Sequence, residues 1–164
     1  MSVAEIDLLT ASPIDLAEHL AAAREWPCDR IGGDQLAMAV DGQWKTYSVT
    51  LAWSERDRVL MCLCSHEFAP PAERAGVVLE LLNLANDSLW SGAFLWWTRQ
   101  ELLVFRDALA IGDELPEAGQ VDGLVAGAVE ACERFYPAFQ LVAWGDRSAE
   151  EAVGMAMEQP WGHA

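Results

Sequence analysis

Between residues 35 and 65 the chain alternates apolar and polar side chains, and turn residues interrupt the alternation twice. Leu36, Met38 and Val40 alternate with Gln35, Ala37 and Ala39. Beyond Asp41-Gly42, the run 43–53 sets Tyr47, Val49, Leu51 and Trp53 against Trp44, Thr46, Ser48 and Thr50. Beyond Ser54-Glu55-Arg56-Asp57, residues 58–65 form a third run. A period of two places alternate side chains on opposite faces of a strand, one of them on a core. Strands joined by turns this short must pair antiparallel, because a parallel pair needs a crossover of a dozen or more residues. The stretch therefore predicts a three-stranded antiparallel meander, opened by Gly32-Gly33-Asp34.

Turn chemistry sets the expected register. Asp41-Gly42 suits a two-residue type I′ turn, which pairs Val40 with Gln43, Met38 with Lys45 and Leu36 with Tyr47. Across the next turn, Trp53 pairs with Arg58, Leu51 with Leu60, Val49 with Cys62 and Tyr47 with Cys64. Both pairings keep the apolar sets on one face. The third strand also carries Val59, Met61 and Leu63 on its other face, the mark of a central strand or one covered on both sides.

Residues 71–90 predict a long helix. Its polar residues Glu73, Gly76, Glu80, Asn83 and Asp87 fall at steps of three and four, one narrow stripe on a 3.6-residue period. Val78, Leu81, Leu82, Ala85 and Leu89 lie opposite, with Val77, Leu84, Leu79 and Trp90 on the flanks, so cover on more than one side is expected. A first helix begins at Ser12-Pro13-Ile14-Asp15, with a serine cap, a first-turn proline and an acid near the N-terminus. It places Ile14, Ala17, Leu20 and Ala21 on one face and stops before Pro27. A hairpin follows the long helix, 93–97 and 102–106 around Thr98-Arg99-Gln100-Glu101. That loop groups Phe94, Trp96, Leu103 and Phe105 on one face, expected to be the core because the aromatic set buries more surface. Another long helix spans 120–144, with Val125, Ala128, Cys132, Phe135, Phe139 and Val142 along its seam and a kink expected at Pro137. Ser148-Ala149-Glu150-Glu151 is a capping box for a short last helix ending before Pro160. Strands in hairpins flanked by helices predict an α+β fold in two layers, one domain over 1–164.

Composition narrows the function. Of the 164 residues, 52% are hydrophobic, enough for a core. The net charge of -16 opposes binding to phosphate backbones and anionic membranes. Nucleic acid is not an expected partner, and no apolar run is long enough to predict membrane insertion. No secretory leader is recognisable, so a cytoplasmic location is expected. Cys28, Cys62, Cys64 and Cys132 lack any disulfide framework or CxxC pair and read as buried apolar residues.

No motif specifies a reaction. Cys62, Cys64 and His66 alternate on one strand face as C-x-C-x-H, a candidate set of zinc ligands. The expected register sends Cys64 toward Tyr47 and sets His66 opposite Lys45, whose charge opposes a cation. His19, His66 and His163 are scattered, and Gly32-Gly33 lacks the rest of a phosphate loop. No catalytic residue, cofactor or metal is therefore expected. The alternative is a small enzyme or metal-binding protein whose site residues are dispersed. The feature that points to function is the second face of the sheet, combining Met61 and Leu63 with Leu95, Trp97, Leu102 and Val104. Either a terminal helix covers it, or it meets a protein partner or a second copy.

Several stretches, in order along nearly the whole chain, resemble one family. They are WPCDR at 26–30, DGQW at 41–44, LLNLANDSLWSGAF at 81–94, VFRDAL at 104–109, EACERFYPAF at 130–139 and the AWG…AEEA tail. Together they resemble the YbjN-type family of bacterial sensory transduction regulators. The resemblance implies a fold similar to type III secretion chaperones: helix, three strands, helix, two strands, helix. Those chaperones are small, acidic, cytoplasmic and commonly dimeric, and they hold extended segments of client proteins. It implies no catalytic residues. A non-enzymatic protein-binding regulator or chaperone-like adaptor is the resulting expectation.

Overall fold

The computed structural model describes residues 11–158. Helix α1 (Pro13–Ala23) starts as its sequence predicts: Ser12 Oγ accepts from the Asp15 N–H while the Asp15 carboxylate accepts from the Ser12 N–H. Four strands follow: β1 (Cys28–Ile31), β2 (Gln35–Asp41), β3 (Thr46–Ser54) and β4 (Val59–Glu67). A short 3-10 turn (Ala72–Arg74) leads into α2 (Ala75–Asp87), then β5 (Ala93–Trp97), β6 (Leu102–Ala110), α3 (Ala118–Trp144) and α4 (Ala149–Glu158). The strands form one antiparallel sheet in the order β1-β2-β3-β4-β6-β5. Helices α1, α2 and α3 pack on its strands, and α4 packs on α2 and α3. The fold is α+β, as its hairpins predict.

The meander has four strands, not three. β1 carries Asp29 and Arg30 in four residues, too short and too charged to show an alternation. The β2–β3 turn is also longer than Asp41-Gly42 predicts. Asp41 pairs with Thr46, Val40 with Tyr47, Met38 with Val49 and Leu36 with Leu51. Gly42 does not adopt a positive φ, so this is not a type I′ turn. The loop instead wraps a carboxylate from α3. Glu133 accepts hydrogen bonds from Gln43 N (3.0 Å), Trp44 N (3.2 Å) and the Tyr47 hydroxyl (2.7 Å). A local turn rule is overridden by a charged acceptor far along the chain.

The β3–β4 turn differs similarly. Trp53 pairs with Leu60, Leu51 with Cys62 and Val49 with Cys64, leaving a four-residue loop at 55–58. The ring of His66 meets that of Tyr47, with centroids 5.7 Å apart. Both corrections are even-numbered shifts, so each side chain keeps its predicted face. In the last hairpin Phe94 pairs with Phe105 and Trp97 with Leu102, as the four-residue loop predicts. β6 runs on to Ala110 because β4 pairs with it over nine positions.

The helix expected over 71–90 is shorter and covered on fewer sides. Val78, Leu81 and Ala85 are buried, Leu79 is exposed, and Trp90, past the helix end, is fully exposed. Every seam residue of α3 is buried. The helix continues unbroken through Pro137. Ser148 caps α4 by accepting from the Glu151 N–H, and the closing Pro160 lies outside the described residues.

Candidate protein interface

Alternation along the strands divides the sheet into two faces. Leu36, Val49, Leu51, Leu60, Cys62 and Cys64 are buried beneath the helices, together with Phe94, Leu103 and Phe105. The aromatic set of the last hairpin is therefore the inner one. Phe94 lies edge-on to Phe105 and Phe135, with centroids 5.1 and 5.5 Å away.

The other face carries all six residues predicted for an interface. Leu95 stands beside Val104 and Trp97 beside Leu102 on adjacent strands. Leu63 pairs with Arg106 and Met61 with Ala108. Among the described elements every helix lies on the opposite side, so the expectation that a terminal helix covers this face is not met by α1 or α4. Met61, Leu63, Leu95 and Leu102 are partly exposed and Trp97 is 37% exposed. Val104 is fully buried despite its position on this side, with Ser65 and Leu95 as its cross-strand neighbours. The accessible part of this face is thus made by its neighbours. Toward β2, small residues continue it: Ala37 pairs with Thr50, and Thr50 with Leu63.

The chemistry-bearing residues sit on the packed face. Burial, with the nearby Cys64 and Asp107, raises the Cys62 thiol well above its usual range. A hydrogen bond with Cys132, together with burial, does the same for Cys64. Thiols held protonated are poor ligands and poor nucleophiles. His66 is 5% exposed, its Nδ1 lies 3.0 Å from the Glu67 carbonyl, and Nε2 has no protein partner. Because a carbonyl only accepts, Nδ1 carries the proton. Burial lowers the ring's pKa, the Glu67 contact opposes that, and the charge of Lys45 adds to the lowering. Its rings' neighbours are Tyr47, Phe68 and Tyr136. Among the described residues, no group of three or more His, Cys, Asp or Glu side chains is arranged to hold a metal.

Two grooves lie on the helix side. One, of about 330 Å³, runs between α3 and α4 past Pro137, Leu141, Met155 and Ala156. The other, of about 180 Å³, lies beside Trp90 between Phe105 and Gly127. Neither gathers a set of reactive side chains.

The pattern of the YbjN family, described as "Putative bacterial sensory transduction regulator", matches residues 13–141. The chain belongs to the YbjN family. A crystal structure of YbjN, described as "a putative transcription regulator from E. coli", is similar in fold, with a TM-score of 0.55. The two are 10% identical over 73% of this chain and 85% of that one. No curated protein matches the chain in sequence. No helix among the described residues of this YbjN-family protein is long and apolar enough to cross a membrane.

Two polar residues that organise the molecule escaped the sequence analysis. Glu133 lies on α3 outside the buried seam, and nothing near it in sequence announces the β2–β3 loop. Asn86 left a fainter signal. It falls off the polar stripe of the 71–90 helix, toward the apolar side, where its amide meets the backbone of Phe94.

Proposed function

We propose that this YbjN-family protein is a non-enzymatic regulator that binds another protein across the open face of its sheet, as a chaperone-like adaptor does. One observation carries the reading: Leu95, Trp97 and Leu102 lie together on a face that no described helix covers, with Leu63 on the same face beside Arg106, diagonal to Val104. A contiguous apolar patch on a folded surface marks an interaction site far more often than scattered apolar residues do. Trp97 is the anchor, since large rigid aromatics dominate interface energetics. The buried, protonated thiols of Cys62 and Cys64 and the enclosed His66 support a role by contact rather than by catalysis.

The test places a photo-crosslinking amino acid at position 97 and, in a second protein, at position 79, an apolar site on α2 that is more exposed still. A discrete adduct from 97 alone, lost when Leu63→Asp is added, is the expected outcome. Equal adducts from both positions, or none from 97, would reject the reading.

A further inference from the structure

An open sheet ends in two edge strands, each offering unpaired N–H and C=O groups to any extended chain. In this molecule the two edges are protected differently. β1 is four residues long and charged, and its Arg30 is tied to Asp15 and Glu18 of α1 at 2.6 and 3.0 Å. Such an edge discourages a further strand by itself. β5 reads Ala-Phe-Leu-Trp-Trp, with no charge and no proline. By composition it is the more adhesive edge.

In an antiparallel pair, alternate residues direct their backbone groups toward the partner strand and away from it. Those of Phe94 point away from β6, because Asn86 takes both. The Phe94 N–H donates to Asn86 Oδ1 at 2.7 Å, and Asn86 Nδ2 donates to the Phe94 carbonyl at 3.1 Å. A carboxamide has one acceptor and one donor side by side, so it satisfies Phe94 as a residue of a neighbouring strand would. The turn into β5 makes the reach possible. Gly92 has φ +76°, and a Cβ there would collide with the Phe105 ring and lie 2.9 Å from the Arg106 carbonyl. By the same alternation, the backbone groups of Trp96 also face outward.

We propose that Asn86 guards the β5 edge against pairing with a second copy of this chain. The occupant follows from symmetry. With Phe94 and Trp96 as the outward pair, one antiparallel register of two β5 copies pairs both of them within the strand: Phe94 opposite Trp96 of the copy, Trp96 opposite its Phe94, and Leu95 opposite Leu95 on the two-fold axis. Each outward pair exchanges two hydrogen bonds, and the contact is self-complementary, as a closed dimer requires. Asn86 occupies the Phe94 position in both copies and so blocks every bonded pair of that register.

The inference is independent of the proposed docking on the open face, and a failed cross-link at position 97 leaves it standing. Its test is sedimentation velocity on Asn86→Ala, checked as folded by circular dichroism. The expected result is a doubling of the associated mass relative to the unaltered protein. In a Cys28→Ser background, Leu95→Cys forms a disulfide-linked dimer on mild oxidation only when Asn86→Ala is also present. Adding Leu95→Lys, which places two like charges on the axis, returns Asn86→Ala to the original mass. A folded Asn86→Ala of unchanged mass overturns the proposal, and so does association that survives Leu95→Lys. Should Asn86→Ala not fold, Asn86→Asp replaces it: it keeps an acceptor for the Phe94 N–H and withdraws the donor from the carbonyl. Partial association then supports the guard, and an unchanged mass rejects it.

Discussion

Along β4 the packed and open faces of the sheet alternate residue by residue. Leu60, Cys62, Cys64 and His66 are buried, while Val59, Met61, Leu63 and Ser65 between them are only partly covered. Hydropathy alone does not separate the two sets, since Met61 and Leu63 are as apolar as the cysteines. What separates them is the neighbourhood. Packed-face side chains meet bulky partners brought from α3, such as Phe135 and Phe139 against Phe94. Those of the open face have only their cross-strand neighbours, several of them as small as Ala37, Ala39 and Ala52. An apolar strand face therefore becomes core only where a helix supplies matching volume. Where none does, it is left flat and available.

The largest test of that difference lies in two adjacent residues. Trp96→Ala removes a partly buried ring that packs against Phe68, at 6.1 Å between centroids, and should destabilise the fold by about 2–3 kcal/mol. Trp97→Ala, one residue on and on the open face, should cost less than about 1 kcal/mol of stability while weakening partner binding by about 2 kcal/mol or more. Thermal melting and a binding assay read both. If Trp97→Ala melts the protein as strongly as Trp96→Ala does, the two faces are not energetically distinct.

A smaller loss is expected where the helix layer grips the β2–β3 loop. A Cβ at position 42 would overlap Glu133 Oε1 and sit 2.7 Å from Tyr47 Cε2. Gly42→Val should therefore lower stability by about 1–3 kcal/mol by loosening the partly buried Tyr47–Glu133 hydrogen bond. Combining it with Glu133→Ala sharpens the cause: if steric overlap with Glu133 is responsible, the two losses are not additive. Additive losses in chemical denaturation would place the strain elsewhere.

The smallest effect is one of pH and concerns the packed face alone. His66 is held neutral in the fold by burial, against its Glu67 contact and with the help of Lys45. The unfolded chain binds the proton more readily, at an ordinary value near 6.5. Its contribution to stability is therefore complete above about pH 6.5 and is lost as the pH falls through the lower folded value. His66→Phe should flatten the stability profile between about pH 7 and pH 5. An unaltered slope would mean that the ring is hydrated in the fold.

Much of this architecture is legible in the chain because period and face survive errors of register. The β2–β3 and β3–β4 pairings are displaced from their turn-based prediction by even numbers of residues, so Tyr47, Cys62 and Cys64 remain on the packed side. The six open-face residues share one face because strand alternation fixes it within each hairpin. The illegible parts are held by long-range polar contacts. Nothing near Asp41-Gly42 reveals that Glu133 will enlarge its turn, and the charged β1 shows no alternation because it lies at an edge. Val104 is the subtler case. Its face was predicted correctly, but its burial depends on neighbours that a pattern of period two does not describe.

The grip of Glu133 on the β2–β3 loop also bears on the order in which the molecule is completed during synthesis. The loop's acceptor lies 90 residues beyond Gln43, so at ordinary translation rates it emerges roughly 5–20 s later. Until then the Gln43 and Trp44 amides and the Tyr47 hydroxyl lack this acceptor. The hairpin that looks most local in the sequence is therefore among the later parts of the fold to close, and its completion reports that α3 has arrived.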